Sequence, residues 1–297
     1  MHEGFRIVGR RGAQWDVRRL SRKTGEVWVP KIGWVRFRWS RAVPGEVKSF
    51  RVNRDRAGRW HVAFAVIPPP VAGPGTGEVV GVDRGVAVSA ALSSGELLSV
   101  PGLRASEAER LRRLKRKLAR AQRGSNRRKQ VKAAIGRLTA READRRKDWA
   151  EKTSTDLARR FDLIRVEDLK IADMVRSARG TIAAPGTNVR AKADLNRSVH
   201  AAGWGSLVRR LEDKAAGRVE RIDPAYTSQT CNACGHRAAD NRESQAVFRC
   251  RACGHADHAD VNAAKNIAAG RAVTARGALQ PLGGAMNCEP QPVLTSG

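Results

Sequence analysis

Four cysteines in two Cys-x-x-Cys pairs have the spacing that most clearly predicts chemistry. The pairs are Cys231 with Cys234 and Cys250 with Cys253, and fifteen residues separate them. Four thiolates at this spacing supply the tetrahedral donor set that Zn²⁺ takes in zinc ribbons. Gly235 and Gly254 follow the pairs, where the chain must turn sharply beneath a metal ion. We therefore predict a structural zinc ribbon at residues 225–256, in preference to unrelated buried cysteines or redox-active disulfides.

Three separated carboxylates form a second candidate site. Asp83 and Glu167 lie near the ends of short apolar segments, and Asp260 begins a helical pattern directly after the ribbon. If these side chains converge at one end of a mixed sheet, their oxygens would bind Mg²⁺ or Mn²⁺. Two such ions activate water and stabilise the leaving oxygen in phosphodiester hydrolysis. The pattern alone leaves open the alternative that Asp83 only caps a turn at the end of a strand.

The charge of the chain indicates a polyanionic partner. The 297 residues carry a net charge of +28, and their number is enough for two or three small domains. Nucleic acid is the leading candidate for that partner, although the charge alone does not separate an enzyme from a ribosomal-type packing protein. The aromatic residues are seven Trp, six Phe and one Tyr. With so few, we expect contacts to the nucleic-acid backbone rather than broad base stacking.

The sequence carries no signal peptide and no apolar run long enough to span a bilayer. We therefore predict a cytoplasmic protein that associates with the nucleoid through DNA binding and has no membrane partner. The fifth cysteine, Cys288, lies in an aperiodic tail at residues 272–297, and we assign it no role. The sequence does not indicate an oligomeric state.

The N-terminal part, residues 1–70, is predicted to form short strands and turns. Residues 34–39 alternate apolar and basic side chains, which is the period of a half-buried strand. Segments 47–55 and 57–66 predict a hairpin around a glycine-containing turn. A small partial β-barrel with a basic outer face fits this pattern, and an ordinary β-domain with solvated charges is the alternative. A Pro- and Gly-rich linker follows at 71–77.

The middle of the chain alternates strands with helices. Apolar segments predict strands at 78–85, 86–92, 97–100, 161–169 and 218–224. Helical spacing of apolar residues predicts helices within 104–160 and 195–216, and residues 177–188 are predicted to form a mobile loop. This order predicts a mixed α+β or α/β fold and allows a ribonuclease H-like sheet that carries Asp83 and Glu167.

The stretch at residues 104–160 is strongly basic. A Gly-Ser-Asn break at 124–126 divides it, so we predict a helical hairpin with one buried stripe. Few acidic residues stand four positions from the basic ones, which favours contact with phosphates over a solvated pair of helices linked by salt bridges.

Four segments together resemble the TnpB proteins of insertion sequences. They are residues 81–86, 164–169, 226–236 and 258–267, in matching order and spacing. TnpB proteins are compact RNA-guided DNA endonucleases, related to type V CRISPR effectors and often labelled transposases. The resemblance covers the chain from about residue 27 to the start of the tail.

The resemblance implies a function and a set of site residues. Asp83, Glu167 and Asp260 would be the catalytic, Mg²⁺-binding carboxylates of a RuvC-like nuclease core. The zinc ribbon would be an insert that binds target nucleic acid. The implied domains are a partial wedge at 1–70 that grips guide RNA and a short DNA motif, a core at 78–224 and 257–271, and the ribbon at 225–256. The partners would be guide RNA and target DNA.

Two departures from the family pattern bear on activity. Members usually carry a further N-terminal segment with a helical recognition domain, and we expect this sequence to begin after it. Arg84 stands where the family more often has an apolar residue. The main prediction is therefore an RNA-guided, divalent-metal-dependent DNA endonuclease of a transposable element. The alternatives are a non-cleaving nucleic-acid-binding remnant and a transposase in the strict sense.

Overall fold

The computed structural model describes residues 4–7, 11–12, 14–55 and 57–270. The predicted tail at 272–297, with Cys288, lies outside these residues. The chain forms two units, Met1–Val71 with Pro101–Lys152 and Ala72–Val100 with Thr153–Gly297. Helices and strands occur in both units, so the predicted mixed α+β class is confirmed in this general form. The predicted domain limits stay predictions.

Two three-stranded antiparallel sheets make up the strands of the first unit. They are β1 (Gly4–Ile7), β5 (Ser49–Arg54) and β6 (Trp60–Ala65), and β2 (Asp16–Arg19), β3 (Thr24–Val29) and β4 (Gly33–Arg38). Their shared core includes Trp15, Val27 and Phe50. In β4, Val35 and Phe37 pack against this core while Trp34, Arg36 and Arg38 are exposed, which confirms the predicted alternation.

The basic stretch forms the predicted helical hairpin. Its helices are α1 (Ala105–Arg120) and α2 (Asn126–Arg160), with the break where the sequence placed it. Glu107 in α1 accepts two hydrogen bonds from the guanidinium of Arg145 in α2, at 2.6 and 3.0 Å. It also accepts one from the backbone amide of Arg104, at 3.0 Å. The carboxylate of Glu107 therefore caps the N-terminus of α1 and also links α1 to α2.

A five-stranded mixed sheet forms the centre of the second unit. In spatial order the strands are β11 (Val219–Ile222), β10 (Leu163–Glu167), β7 (Val79–Asp83), β8 (Ala90–Leu92) and β9 (Leu97–Leu98). The first three run parallel, and β8 and β9 are antiparallel. Val80, Val82, Ile164 and Val166 are fully buried, as expected for parallel strands covered on both faces.

All five strands predicted for this sheet are shorter than the sequence indicated. The prediction of a strand over 86–92 was wrong for its first four residues, and the strand predicted at 97–100 ends at Leu98. Side chains explain part of the difference, because they form hydrogen bonds with backbone groups near the ends of β7, β8 and β9. The Trp204 indole donates to the carbonyl of Gly85, and the Ser89 hydroxyl accepts from the amide of Val100, both at 3.0 Å.

Three helices connect β10 to β11. They are α3 (Ile171–Met174), α4 (Val189–Ala202) and α5 (Trp204–Lys214). The sequence predicted one helical stretch at 195–216, whereas two helices meet at Gly203, whose φ of +71° suits glycine best. The predicted apolar face is confirmed, since Val199 in α4 and Leu211 in α5 are buried.

The last described elements are β12 (Val247–Arg249), β13 (Ala256–His258) and α6 (Ala259–Ala268). Helix α6 lies directly against β7, where a Cβ added to Gly81 would overlap the backbone of Ala264 and Ala268. Only glycine permits this approach, which fixes the start of α6 relative to the end of β7. Within the described residues, no helix is both long enough and apolar enough to cross a membrane.

Candidate functional site

Asp83 and Glu167 end two neighbouring parallel strands. Val82 in β7 pairs with Val166 in β10, so the next residue of each strand is one of these carboxylates. The carboxyl ends of parallel strands are where open α/β sheets bind their ligands. The fold thus brings two of the three predicted carboxylates to the same sheet edge.

Asp260 reaches this edge from α6. It is the second residue of the helix and is only 7% exposed. Its Oδ2 lies 3.9 Å from the position that a Cβ on Gly85 would occupy, two residues beyond Asp83. Its Oδ1 accepts a hydrogen bond from the guanidinium of Arg242 at 2.9 Å. Asp260 therefore lies beside the backbone that follows Asp83, at the end of the sheet where Asp83 and Glu167 stand.

The three carboxylates are more widely spaced than the ligands of one compact metal cluster. Among the described residues, the four ribbon cysteines are the one group of three or more metal-ligating side chains whose donor atoms all lie within 4.8 Å of one another. Like-charged carboxylates repel unless a cation lies between them, and here Arg242 neutralises Asp260. Carboxylate oxygens are the donors that Mg²⁺ and Mn²⁺ prefer, so the chemistry of these three side chains fits such an ion.

Glu167 is held by its neighbours on two sides. Its side chain is buried and accepts a hydrogen bond from the Thr227 hydroxyl at 3.1 Å. The buried guanidinium of Arg84 donates to its backbone carbonyl. Burial lowers the pKa of Arg84 from the usual arginine value, and the carboxylates of Glu167 and Asp83 oppose that shift. Arg84 therefore acts as a fixed cation beside the candidate site.

The four cysteine sulfurs form a site that could hold a metal ion. The Sγ atoms of Cys231 and Cys253 are 3.8 Å apart, and those of Cys234 and Cys250 are 3.5 Å apart. A tetrahedral ion with Zn–S bonds of about 2.3 Å places its sulfurs about 3.8 Å apart. Both Cys-x-x-Cys turns have the same backbone hydrogen bonds and end in a glycine with positive φ, as the sequence predicted.

The pKa values of these thiols also suit a site that binds a metal cation. Burial raises the pKa of Cys231. At Cys234 the amide of His236 lowers the pKa, but neighbouring thiols and burial raise it to about 12. The amide of Cys253 is the main cause that lowers the pKa of Cys250 to about 6. Four adjacent thiols do not ionise together near neutral pH by themselves, whereas a bound metal ion deprotonates its thiol ligands.

Two buried asparagines connect the cysteine site to the carboxylate site. Asn262 in α6 accepts a hydrogen bond from the amide of Asn232, at 3.0 Å, and donates to the carbonyl of Thr230, at 2.8 Å. Asn266, one turn later, donates to the carbonyls of Thr227 and Thr230. Neither residue is among those predicted from the sequence. The signal in the sequence was a pair of asparagines four residues apart, which places both on one face of a helix.

Two further residues beside the carboxylates, Arg242 and Thr227, were also missed. Arg242 is far from Asp260 in sequence and lies in a ribbon segment without periodicity. Thr227 follows a predicted strand and resembles an ordinary turn residue. No local pattern distinguishes either one, because their roles depend on tertiary contacts alone.

Two family models match the chain. The model "Probable transposase" (OrfB_IS605) matches residues 61–178, and "Cas12f1-like, TNB domain" matches 204–267. The chain is 39% identical over 283 residues to "Putative RNA-guided DNA endonuclease InsQ" of Escherichia coli K12, covering 93% of this chain and 70% of that protein. The chain belongs to the TnpB-like family of insertion-sequence proteins.

Other relatives of this TnpB-like chain match over smaller shares of their length. "Putative RNA-guided DNA endonuclease" of Streptomyces pristinaespiralis is 33% identical over 249 residues, 81% of this chain and 58% of that protein. A cryo-EM structure of a Cas12f1–sgRNA–target DNA complex has a TM-score of 0.48 at 18% identity, covering 75% of this chain and 45% of that chain.

The matched ranges of the TnpB-like chain contain the candidate residues. The transposase model includes Asp83 and Glu167, and the TNB model includes Asp260 with the four ribbon cysteines. The resemblance inferred from four short segments is thus confirmed at the level of the family.

Proposed function

We propose that this chain is an RNA-guided, divalent-metal-dependent DNA endonuclease of a transposable element. The observation that supports the proposal is the placement of Asp83, Glu167 and Asp260 at one end of the sheet, at the carboxyl ends of β7 and β10 and the start of α6. Its relatives of the InsQ type are named as RNA-guided DNA endonucleases, which supports the same activity here. In this proposal the mixed sheet is a RuvC-like nuclease core, and the six strands of the first unit are a partial wedge.

The three carboxylates would hold Mg²⁺ or Mn²⁺, which supplies an activated water and stabilises the leaving oxygen of a phosphodiester. The chain's own residues orient these ligands. Thr227 fixes one oxygen of Glu167, and the first turn of α6 favours the negative charge of Asp260. Arg84 and Arg242 balance the excess negative charge around the carboxylates.

The ribbon cysteines would hold a structural Zn²⁺. Because Asn262 joins the backbone of the first cysteine pair to α6, a metal-stabilised ribbon also stabilises the helix that carries Asp260. We assign the ribbon to contact with target DNA, by analogy with the family.

The basic surfaces would bind the nucleic-acid partners. Helix α1 carries seven Lys or Arg residues against two Glu, and most of them are exposed. Such residues contact phosphates without reading bases, which suits a protein whose sequence specificity comes from pairing between guide RNA and target. A DNA-acting enzyme of this kind would work in the cytoplasm, in association with the nucleoid.

The test is cleavage of a guide-matched DNA by protein co-expressed with its flanking genomic RNA. We expect cutting with Mg²⁺ and none with EDTA, and we expect RNA to co-purify in both cases. RNA that co-purifies with wild-type protein that never cuts would contradict the endonuclease and favour a nucleic-acid-binding remnant. Strand-transfer products in place of hydrolysis would favour a transposase in the strict sense.

A further inference from the structure

The second unit contains a cavity of about 200 Å³ beside the candidate carboxylates. Its lining residues are Arg84, Leu169, Ile171, Gly205, Val208, Arg209, Glu212 and Arg221. Arg84 follows Asp83 directly, and Leu169 lies two residues after Glu167, so the lining continues from the strand ends that carry these carboxylates. None of the roles assigned above uses the cavity.

Arg84 brings a buried, incompletely paired cation to this cavity. The residue is 6% exposed. One end of its guanidinium donates to the carbonyl of Glu167, whereas its buried Nε has no hydrogen-bond partner. Arg84 lines the cavity, so the positive charge of its guanidinium favours an anionic, oxygen-bearing ligand there.

The other two arginines of the cavity differ in their ion pairs. Arg221 is fixed by Glu212, at 2.7 and 3.0 Å, and by Asp168, at 3.0 Å. Arg209 in α5 is exposed and makes no ion pair with any described residue. Three arginines line the cavity against one glutamate, so its lining has a surplus of positive charge.

The size and walls of the cavity indicate a part of a larger ligand. Sites for whole small molecules usually measure about 300–1,000 Å³, which is larger than this cavity. Arginines bind phosphate oxygens in paired hydrogen bonds. Leu169, Ile171 and Val208 add an apolar wall that suits the carbon atoms of a sugar. A phosphodiester with its attached sugar matches both features.

We propose that this cavity binds a phosphodiester group of a single DNA strand, near the phosphodiester that the three carboxylates would hydrolyse. The inference rests on the proposed nuclease function, since that function brings a strand to this edge of the sheet. Contacts of this kind position a strand without reading its sequence. Arg209 would be a positioning residue that receives the strand, and Arg84 would fix the phosphate within the cavity.

The test measures binding without cleavage. A fluorescein-labelled six-nucleotide single-stranded DNA is titrated with the full chain in EDTA, and its anisotropy is followed at several salt concentrations. We expect Arg209→Ala to weaken binding about 10-fold. The slope of log K against log salt should become less steep by about 0.7, which corresponds to one phosphate contact on a single strand. Arg209→Lys should retain the wild-type slope because it keeps the charge.

Arg197→Ala is the matched control. Arg197 lies in α4, its side chain is 69% exposed, and it does not line the cavity, so we expect affinity within twofold of wild type. Wild-type affinity and slope in Arg209→Ala would overturn the proposal. A second measurement compares the melting temperature of the full chain with and without inorganic phosphate. The proposal would also be overturned if Arg209→Ala reduced the stabilisation by phosphate but left DNA binding unchanged, since the cavity would then bind free phosphate. Because the assay contains no Mg²⁺, its outcome does not depend on whether the chain cuts DNA.

Discussion

Asp260 is the carboxylate whose surroundings are best defined. It lies in the first turn of α6, where the helix dipole favours negative charge, and it pairs with Arg242. Both side chains are mostly buried, with exposures of 10% and 18%. A buried charge needs a partner, and Arg242 supplies one for Asp260.

The cysteine site gives a prediction about one metal ligand, the sulfur of Cys250. Cys250→Ser replaces one sulfur ligand by a hydroxyl, so we expect the protein to lose its zinc and the second unit to become less stable. Structural zinc contributes directly to folding free energy, which is the reason for the loss. Elemental analysis and thermal denaturation measure the two effects. One equivalent of zinc retained in the purified variant would contradict the assignment.

At the residue scale, the sequence indicated the candidate cysteines and carboxylates but not the arginines that lie beside the carboxylates. The paired cysteines and the three carboxylates stand in patterns whose chemistry depends on residue type and spacing. Arg84 and Arg242 lie beside them only because distant segments meet, at sequence separations of 83 residues from Glu167 and 18 from Asp260. Such contacts leave no periodic signal in the chain.

At the scale of elements, α6 links the ribbon to the sheet through Asn262. We expect Asn262→Ala to lower the free energy of unfolding by about 1–3 kcal/mol, because the part-buried amide of Asn232 and the buried carbonyl of Thr230 lose their partner. Zinc retention should fall as well, since Asn232 lies between two of the cysteine ligands. Chemical denaturation and elemental analysis measure both changes.

Asn126→Ala is the control for that experiment. Asn126 is exposed at the first residue of α2 and makes no side-chain hydrogen bond within the described part of the chain. We expect almost unchanged stability and zinc content. Equal stability of Asn262→Ala and Asn126→Ala would show that the link through α6 has no energetic weight.

The helical hairpin gives a pH-dependent prediction. The guanidinium of Arg145 is the main cause that lowers the pKa of Glu107 from 4.5 to about 2. Its folded-state pKa lies below the unfolded value, so the stabilisation is complete above about pH 4.5 and is lost as the pH falls towards 2. We expect Glu107→Gln to have a lower melting temperature than wild type at pH 6. The difference between the two melting temperatures should become smaller at pH 2.5.

Glu109→Gln provides the matched control on the same helix. Glu109 is 58% exposed and lies 3.9 Å from Arg113, a separation at which a surface ion pair contributes little. We expect its melting temperature to follow wild type at every pH. A constant difference between Glu107→Gln and wild type from pH 6 to 2.5 would show that the Glu107 carboxylate does not carry the effect.

Sequence predicted most elements because their patterns were long or strongly apolar. The hairpin break at 124–126 followed from an interruption of the helical period, and the buried strands β7 and β10 followed from short apolar runs. Gly203 was missed as a boundary because the apolar face continues across it, and its positive φ decides the break. Strand β8 was predicted too long because apolar composition does not reveal that the backbone beside it bonds to Trp204.

At the scale of the whole molecule, the net charge of +28 concerns binding more than folding. Three exposed residues of α1, Lys115, Arg116 and Arg120, make no ion pair with any described residue. We expect their replacement by alanine to make the slope of log K against log salt for a DNA duplex less steep by up to about 0.9 per residue. Fluorescence anisotropy measures the slope.

A charge-matched triple variant controls for the loss of net charge. Arg36, Lys48 and Lys152 lie outside α1, and each has a carboxylate oxygen at 3.1 Å or less that already neutralises it in part. We expect their replacement by alanine to change the slope by less than half as much. Equal changes in the two triple variants would mean that net charge alone, and not the surface of α1, sets the affinity.

We propose that Asp83, Glu167 and Asp260 act as one metal-dependent nuclease site. The most direct measurement is Mg²⁺-dependent cleavage of guide-matched DNA by Asp83→Ala, Glu167→Ala and Asp260→Ala, side by side with wild type. Asp148→Ala, which changes an exposed carboxylate of α2, is the control. We predict that each of the three loses about 10³-fold or more in rate while RNA still co-purifies, and that the control cuts normally. Wild-type cleavage by any one of the three would contradict the site.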